Sequence, residues 1–282
     1  MKHSANDLKT TDRFSRRDFL AFSASSVALL PHGLIGTEKN VIGADATRSL
    51  ILIHLSGGND GYNTLVPYAD KEYYSSRPNI ALRGSELIKI DQRYAFNSAL
   101  SEIAQLYRNG MVAVFPKVGC EENLTKSHLR ASKIWQTASP DEQWKSSWYE
   151  RLTTASESIS TLTIEGFDTH VAQREQQFQS LRQLSKTVSK LRPQLHNTLV
   201  FVYSEFGRSL AENSTSGTDH GSIGLCFAIG AAVKGGIYSE RTDGSILDFR
   251  LLYDTIAGDW LKSEFDHSLE RRSRCDFLTT RV

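Results

Sequence analysis

The chain has 282 residues, with 33 Lys plus Arg against 32 Asp plus Glu, 39% hydrophobic residues and three cysteines. That length is enough to bury the core of one large α/β domain or two small ones. The even charge leaves no global field for nucleic acid or an anionic membrane, and no basic stretch carries interleaved aromatics, so nucleic-acid binding is disfavoured as a class.

The N-terminal segment "SRRDFLAFSASSVALL" sets Arg16 and Arg17 ahead of Phe19 and Leu20, followed by a Ser- and Ala-rich apolar stretch. This is the layout of a twin-arginine export leader. Pro31 and Gly33 break the stretch well short of the roughly 20 apolar residues a membrane span requires, so no permanent span is expected. Ala44 and Ala46 stand in A-x-A spacing, which places cleavage after Ala46. The expected organisation is a leader over residues 1–46 and a single domain over 47–282. The twin-arginine translocation machinery is then the first partner, and the destination is the periplasm or another exported location. The competing reading is a basic amphipathic N-terminus that stays in the cytoplasm. Cys120, Cys226 and Cys275 are scattered, with no C-x-x-C pair, so at most one disulfide forms and Cys226, inside an apolar run, reads as a small buried hydrophobe.

Strands then alternate with helices. "SLILIHLSGG" is a continuous apolar run ending in glycines, the pattern of a strand buried on both faces. "NSALSEIAQLYRNG" puts Leu100, Ile103, Ala104 and Tyr107 on one helical face and stops at Gly110. "MVAVFPKVG" predicts the next strand, and "SHLRASKIWQTA" a helix opening at Thr125 or Ser127. The polar segment from Ser139 to Ile164, with Trp144 and Trp148 at helical spacing, predicts a surface helix and a connection before "STLTIEGFDTH". "REQQFQSLRQLSKTVSKLR" is a long amphipathic helix closed before Pro193, "NTLVFVYSEFG" and "GLCFAIG" are buried strands, and "LDFRLLYDTIAGDWL" is a C-terminal helix. Repeated strand, helix, strand units predict an α/β fold with a mostly parallel sheet covered by helices on both sides.

In open parallel sheets, functional groups gather beyond the carboxyl ends of the strands. Asn59 and Asp60 follow the first strand. Ser127 and His128 open the helix after "MVAVFPKVG", Asp168 and His170 follow "STLTIEGF", Glu205 follows "LVFVY", and Asp219 with His220 precedes "GLCFAIG". Carboxylates mixed with imidazoles are ligands for zinc, manganese or iron, and hard oxygen donors extend the choice to magnesium or calcium. Each residue also has a plainer role. Asp60 would shape a turn, Ser127 would cap a helix, His128 would pack on it, Asp168 would cap the long helix, and His170 and His220 would be hydrogen-bonded loop residues. His54, inside a strand, reads as a satisfied core histidine. The conjunction at five strand ends favours a shared metal site.

The stretches "IHLSGGNDGYNTLVPY", "KSHLRASKIWQT", "GFDTHVAQ", "SEFGRSLAENSTSGTDHG" and "VKGGIY", with the leader, resemble the exported bacterial family catalogued as domain of unknown function 1501. That family is grouped with the alkaline phosphatase and sulfatase superfamily. The resemblance implies an alkaline phosphatase-like α/β/α sandwich with a metal site at the carboxyl edge of the sheet. It implies Asp60 as the first ligand, Ser127 as nucleophile with Thr125 as competitor, Asp168 and His170 as an Asp and His group, and Glu205 as the next acid, although Phe206 stands where a histidine partner would be. His220 resembles the final histidine, or Asp219 and His220 together form an Asp-His pair. The middle region is shorter than the resemblance leads one to expect. The implied activity is metal-dependent hydrolysis of a phosphate or sulfate ester on an anionic small molecule or polymer, in which a metal would lower the pKa of a hydroxyl or water and stabilise charge on the transferring oxygens. Asn59, His128 and Arg208 would contact substrate, Arg208 by its two-pronged geometry. The alternative is a non-catalytic binding or assembly protein that keeps the fold and a structural metal.

Overall fold

The computed structural model describes residues 48–121, 124–153, 158–238, 245–264 and 274–279, together with the backbone of residues 35–37. Arg16, Arg17 and Ala46 lie outside the described residues. In chain order the elements are β1 (Ile35–Thr37), β2 (Ser49–Leu55), β3 (Leu65–Val66), α1 (Lys71–Ser76), β4 (Leu87–Lys89), β5 (Ala95–Asn97), α2 (Ser101–Arg108), β6 (Val112–Gly119), α3 (His128–Thr137) and β7 (Ser158–Ile164). There follow α4 (Gln173–Leu191), β8 (Thr198–Tyr203), β9 (Arg208–Glu212), β10 (Thr218–His220), β11 (Gly224–Ile229), β12 (Gly236–Ile237), β13 (Leu247–Asp248) and α5 (Phe249–Thr255). β1 falls inside the segment expected to be removed as a leader.

The run Ser49–Leu55 shows why the molecule has three layers. Side chains alternate across a strand, so Leu50 and Leu52 enter one core with Phe201, Trp135, Phe249 and Tyr253. Ile51, Ile53 and Leu55 enter the other with Ile103, Leu181, Leu184 and Val188. Helices α3 and α5 therefore cover one face and α2 and α4 the other, an α/β/α sandwich. The central sheet has eight strands in the order β1-β7-β2-β8-β11-β6-β12, with β13 also paired to β6. β2 runs parallel to β7 and β8, and β12 and β13 run parallel to β6. The reversed strands are β1 and β11. β11 is reversed because β8 connects to it only through the β9–β10 hairpin, without the crossover helix that a parallel neighbour needs. Everything between Tyr203 and Gly224 thus projects from one edge of the sheet.

The other expected elements form, with one correction. No surface helix lies between Ser139 and Ile164 among the described residues; ahead of β7 they hold one 3₁₀ turn, Trp148–Arg151. Trp148 is 1% exposed and its ring stacks on Tyr253 at 4.6 Å. An indole gains more by filling the core under α5 than on a helix surface, so Trp148 is placed by burial and not by helical period. Cys120 and Cys226 are buried and Cys275 is half-buried.

Candidate metal centre

The site starts at the exit of β2. Gly57 and Gly58 have φ of +117° and +81°, and a Cβ on Gly57 would lie 2.3 Å from the backbone nitrogen of Asp168. Only glycine gives both the left-handed turn and this approach, so the β2 exit lies against the β7 exit. The Gly57 N–H then donates to Glu205 Oε1 at 2.8 Å.

Glu205, just beyond β8, is buried, and its carboxylate collects further donors. His128 Nδ1 is 2.8 Å from Oε1, His54 Nε2 is 3.0 Å from Oε2, and the Ser204 hydroxyl is 3.1 Å from Oε2. Burial pushes the Glu205 carboxyl up, but the bonds from His128 and His54 outweigh it and hold the group well below the usual carboxylate range. The same Glu205 bond, set against partial burial, raises the pKa of His128.

On the far side of His128 the ligand-type atoms converge. Asp168 Oδ1 lies 3.5 Å from His128 Nε2, 3.3 Å from His220 Nε2 and 3.1 Å from His170 Nε2, and the Nε2 atoms of His170 and His220 are 2.9 Å apart. The ligand atoms of His128, Asp168 and His220 all lie within 4.8 Å of one another. Two tautomers are set by partners outside this group. His128 Nδ1 faces the Glu205 carboxylate, and His220 Nδ1 is 2.9 Å from the Lys126 carbonyl. Both partners are acceptors, so each Nδ1 carries the proton and each Nε2 turns a lone pair toward Asp168, the arrangement seen in metal-ligating histidines. His128 Nε2 is buried and has no hydrogen-bond partner. A buried lone pair left without a donor, beside a carboxylate oxygen and a second imidazole, fits a divalent cation. Phe206, 2% exposed, packs its ring against His128 at 4.8 Å and His220 at 4.6 Å, so the residue standing in a histidine's expected place instead wedges the two imidazoles.

Arg208 sets the remaining side. Its side chain is buried, with Nε on the Gly58 carbonyl at 2.8 Å, Nη1 on the Thr218 carbonyl at 3.0 Å, and Nη2 on the Phe167 carbonyl at 3.0 Å and Asp168 Oδ1 at 2.6 Å; the Gly57 carbonyl is a further partner. Burial pushes the Asp168 carboxyl up, but the bond from Arg208 prevails and lowers it. The centre is open to solvent: the side chain of Asp168 is 52% exposed, that of His170 42% and that of His128 37%.

The sequence-derived residues divide as follows. His128, Asp168 and His220 form the core of the centre, with His170 beside them and Glu205 behind His128. Asp60 is not part of the group. Its side chain is fully buried and held by Arg77 through Nη1 at 2.5 Å and Nη2 at 3.0 Å, by Gln173 at 2.5 Å and by the Tyr62 N–H at 3.0 Å, so both oxygens are occupied by donors. Asp219 points outward, 74% exposed, with His170 Nδ1 at 3.9 Å. Asn59 is buried, accepting from the Thr64 hydroxyl at 3.0 Å. Ser127 is the exposed N-cap of α3, and its hydroxyl does not cap the helix. Arg208 spends its donors on the protein rather than on a substrate, because backbone carbonyls close around it. Sequence reasoning missed Arg77, which no local pattern marks, and placed His54 only in the core; a histidine interrupting the apolar run "ILIHL" was the available signal.

Residues 148–247 match the family described as "Protein of unknown function (DUF1501)". The DUF1501 match begins at the buried Trp148 and takes in Asp168, His170, Glu205, Arg208 and His220; His54 and His128 lie before it. No curated protein matches the sequence. Among solved structures, the chain is similar to the soluble domain of lipooligosaccharide phosphoethanolamine transferase A from Neisseria meningitidis, at 10% identity and a TM-score of 0.37 over 70% of this chain and 86% of that one. It is also similar to the integral membrane protein lipooligosaccharide phosphoethanolamine transferase A from Neisseria meningitidis, at 10% identity and a TM-score of 0.40 over 86% of this chain and 59% of that one. Among the described residues no helix is long and apolar enough to cross a membrane.

Proposed function

We propose that this chain is an exported, divalent-metal-dependent hydrolase of phosphate or sulfate esters. The observation that carries the reading is the convergence of His128 Nε2, His220 Nε2 and Asp168 Oδ1, with the histidine nitrogen buried and lacking a hydrogen-bond partner. Two imidazoles and one carboxylate suit zinc or manganese better than magnesium or calcium, which prefer all-oxygen sites. A bound ion would act as a Lewis acid toward an ester oxygen and offset its developing negative charge. Protein residues have separate tasks. Glu205 and the Lys126 carbonyl orient the imidazoles, Arg208 holds Asp168 and the β2 and β7 exits together, and the open face admits an anionic ester. Openness argues against a purely structural ion, because structural metal sites are closed by protein ligands.

One observation favours a second reading, a non-catalytic metal-containing binding protein. Arg208 has its donors on backbone carbonyls and Asp168, and Ser127 is a surface residue, so neither supplies an evident anion clamp or nucleophile. The two readings separate in one experiment. Purified mature protein is analysed for bound metal and assayed with generic aryl phosphate and aryl sulfate esters. Metal with hydrolysis that is lost in His220→Ala supports the hydrolase; metal without hydrolysis supports the binding protein; no metal taken up from zinc or manganese solutions overturns both. Export is tested by replacing Arg16 and Arg17 with lysine, which is expected to leave the chain in the cytoplasm. Undiminished periplasmic protein would sink that assignment.

A further inference from the structure

From the buried path His54–Glu205–His128 we infer that His54 is a positioning residue of the metal centre, acting through Glu205 to fix the tautomer and orientation of His128. The inference rests on the metal reading for its purpose, but its geometry stands without an ion. His54 Nε2 meets Glu205 Oε2 at 3.0 Å, while the other oxygen, Oε1, takes His128 Nδ1 at 2.8 Å and the Gly57 N–H at 2.8 Å. The two imidazoles therefore grip opposite oxygens of one buried carboxylate, and the rotation that would release one strains the other.

His54 is itself held. Its ring stacks on Tyr203 with centroids 5.1 Å apart and planes 20° apart, and Tyr203 stacks on Trp135 of α3 at 5.3 Å and 11°. α3 is also the helix that opens with His128, so β2, β8 and α3 are locked to the same carboxylate. The remaining partner of Oε2 is the Ser204 hydroxyl at 3.1 Å, whose single hydrogen also faces the Leu55 carbonyl at 2.6 Å. The shorter contact takes that hydrogen, which leaves His54 as the reliable donor to Oε2. Without it, Oε2 keeps only the longer contact to the Ser204 hydroxyl, and the grip that holds Glu205 against His128 is loosened. A carboxylate that orients a metal-bound histidine, as Glu205 orients His128, influences metal affinity by roughly 10- to 100-fold.

The test uses His54→Ala and His54→Gln, the glutamine placing an N–H donor near the position of Nε2. Two readouts are taken on the mature protein. Long-range ¹H–¹⁵N spectra of histidine-labelled, metal-free protein at pH 8 report the His128 tautomer, and calorimetric titration reports zinc affinity. Wild type is expected to show His128 protonated at Nδ1. His54→Ala should give mixed tautomers and at least tenfold weaker zinc binding, and His54→Gln should restore both. If His54→Ala keeps the wild-type tautomer and affinity, or if glutamine fails to rescue a folded protein, the inference is overturned. If wild type binds no zinc but its tautomer still depends on residue 54, the metal reading fails and the positioning role stands.

Discussion

Asp60 and Arg77 form a fully buried ion pair whose arginine also donates to the carbonyls of Leu210 at 2.6 Å and Ser209 at 2.7 Å. The pair thus ties the β2 exit to β9, the strand that opens with Arg208. Removing one member strands a charge in the interior, which costs about 3–5 kcal/mol, whereas removing both with apolar replacements is far milder. Arg77→Ala is accordingly expected to lower urea-unfolding stability by about 3–5 kcal/mol, and Asp60→Leu combined with Arg77→Met by much less. Equal losses in the single and double variants would contradict this account. Asp60 serves as a structural anion held by arginine, so its removal acts on zinc binding only through stability.

At the scale of elements, the decisive contact is between the exits of β2 and β7. At Gly57 an added Cβ meets the Asp168 backbone at 2.3 Å, and the obstacle is main chain that no rotamer change can move. Gly84 also has positive φ, +57°, yet nothing lies within 4 Å of its Cβ position. The two alanine variants therefore separate clash from backbone strain. Gly84→Ala should cost about 1–2 kcal/mol, the left-handed penalty alone. Gly57→Ala should cost more, by about 1–3 kcal/mol of overpacking, and should also weaken zinc binding because Asp168 is displaced. Thermal melts with and without zinc check both outcomes; zinc affinity unchanged in a folded Gly57→Ala protein would show that the two exits are not coupled.

For the whole molecule, the charges of the centre link stability to pH and metal. The carboxyls of Glu205 and Asp168 are held below their ordinary range, so their contribution is present above the ordinary carboxylate pKa and is lost as pH falls toward their depressed folded values. His128 is raised, so its contribution is present below the ordinary histidine pKa and is lost as pH rises through the elevated folded value. Metal-free protein should then be most stable between the carboxylate and imidazole ranges. Zinc needs neutral imidazoles and should extend stability to the alkaline side, by about 2.7 kcal/mol when free metal is 100 times its dissociation constant. Melting curves from pH 4 to pH 9, with and without zinc, test this; a zinc-induced gain that grows toward acid would contradict the ligand set.

The apolar runs, the amphipathic period of Gln173–Leu191 and the glycines after β2 were enough to determine the α/β class, the main strands and the edge of the sheet on which chemistry gathers. Those features are local: burial on two faces requires a continuous apolar strand, and a helix between strands requires a periodic one. The sequence also marked His128, Asp168, His170, Glu205 and His220 as residues at strand ends. Which of them meet was decided by the tertiary structure. Asp60 follows the first strand as a ligand would, but Arg77 and Gln173 from distant segments take its oxygens. Arg208 stands at a strand end where a substrate clamp would, but four carbonyls and Asp168 surround its guanidinium. His54 looked like core, because only the folded chain brings Glu205, 151 positions away, to its Nε2. A carboxylate's role is set by which donors reach its two oxygens, and at this centre those donors come from segments far apart along the chain, where no spacing rule operates.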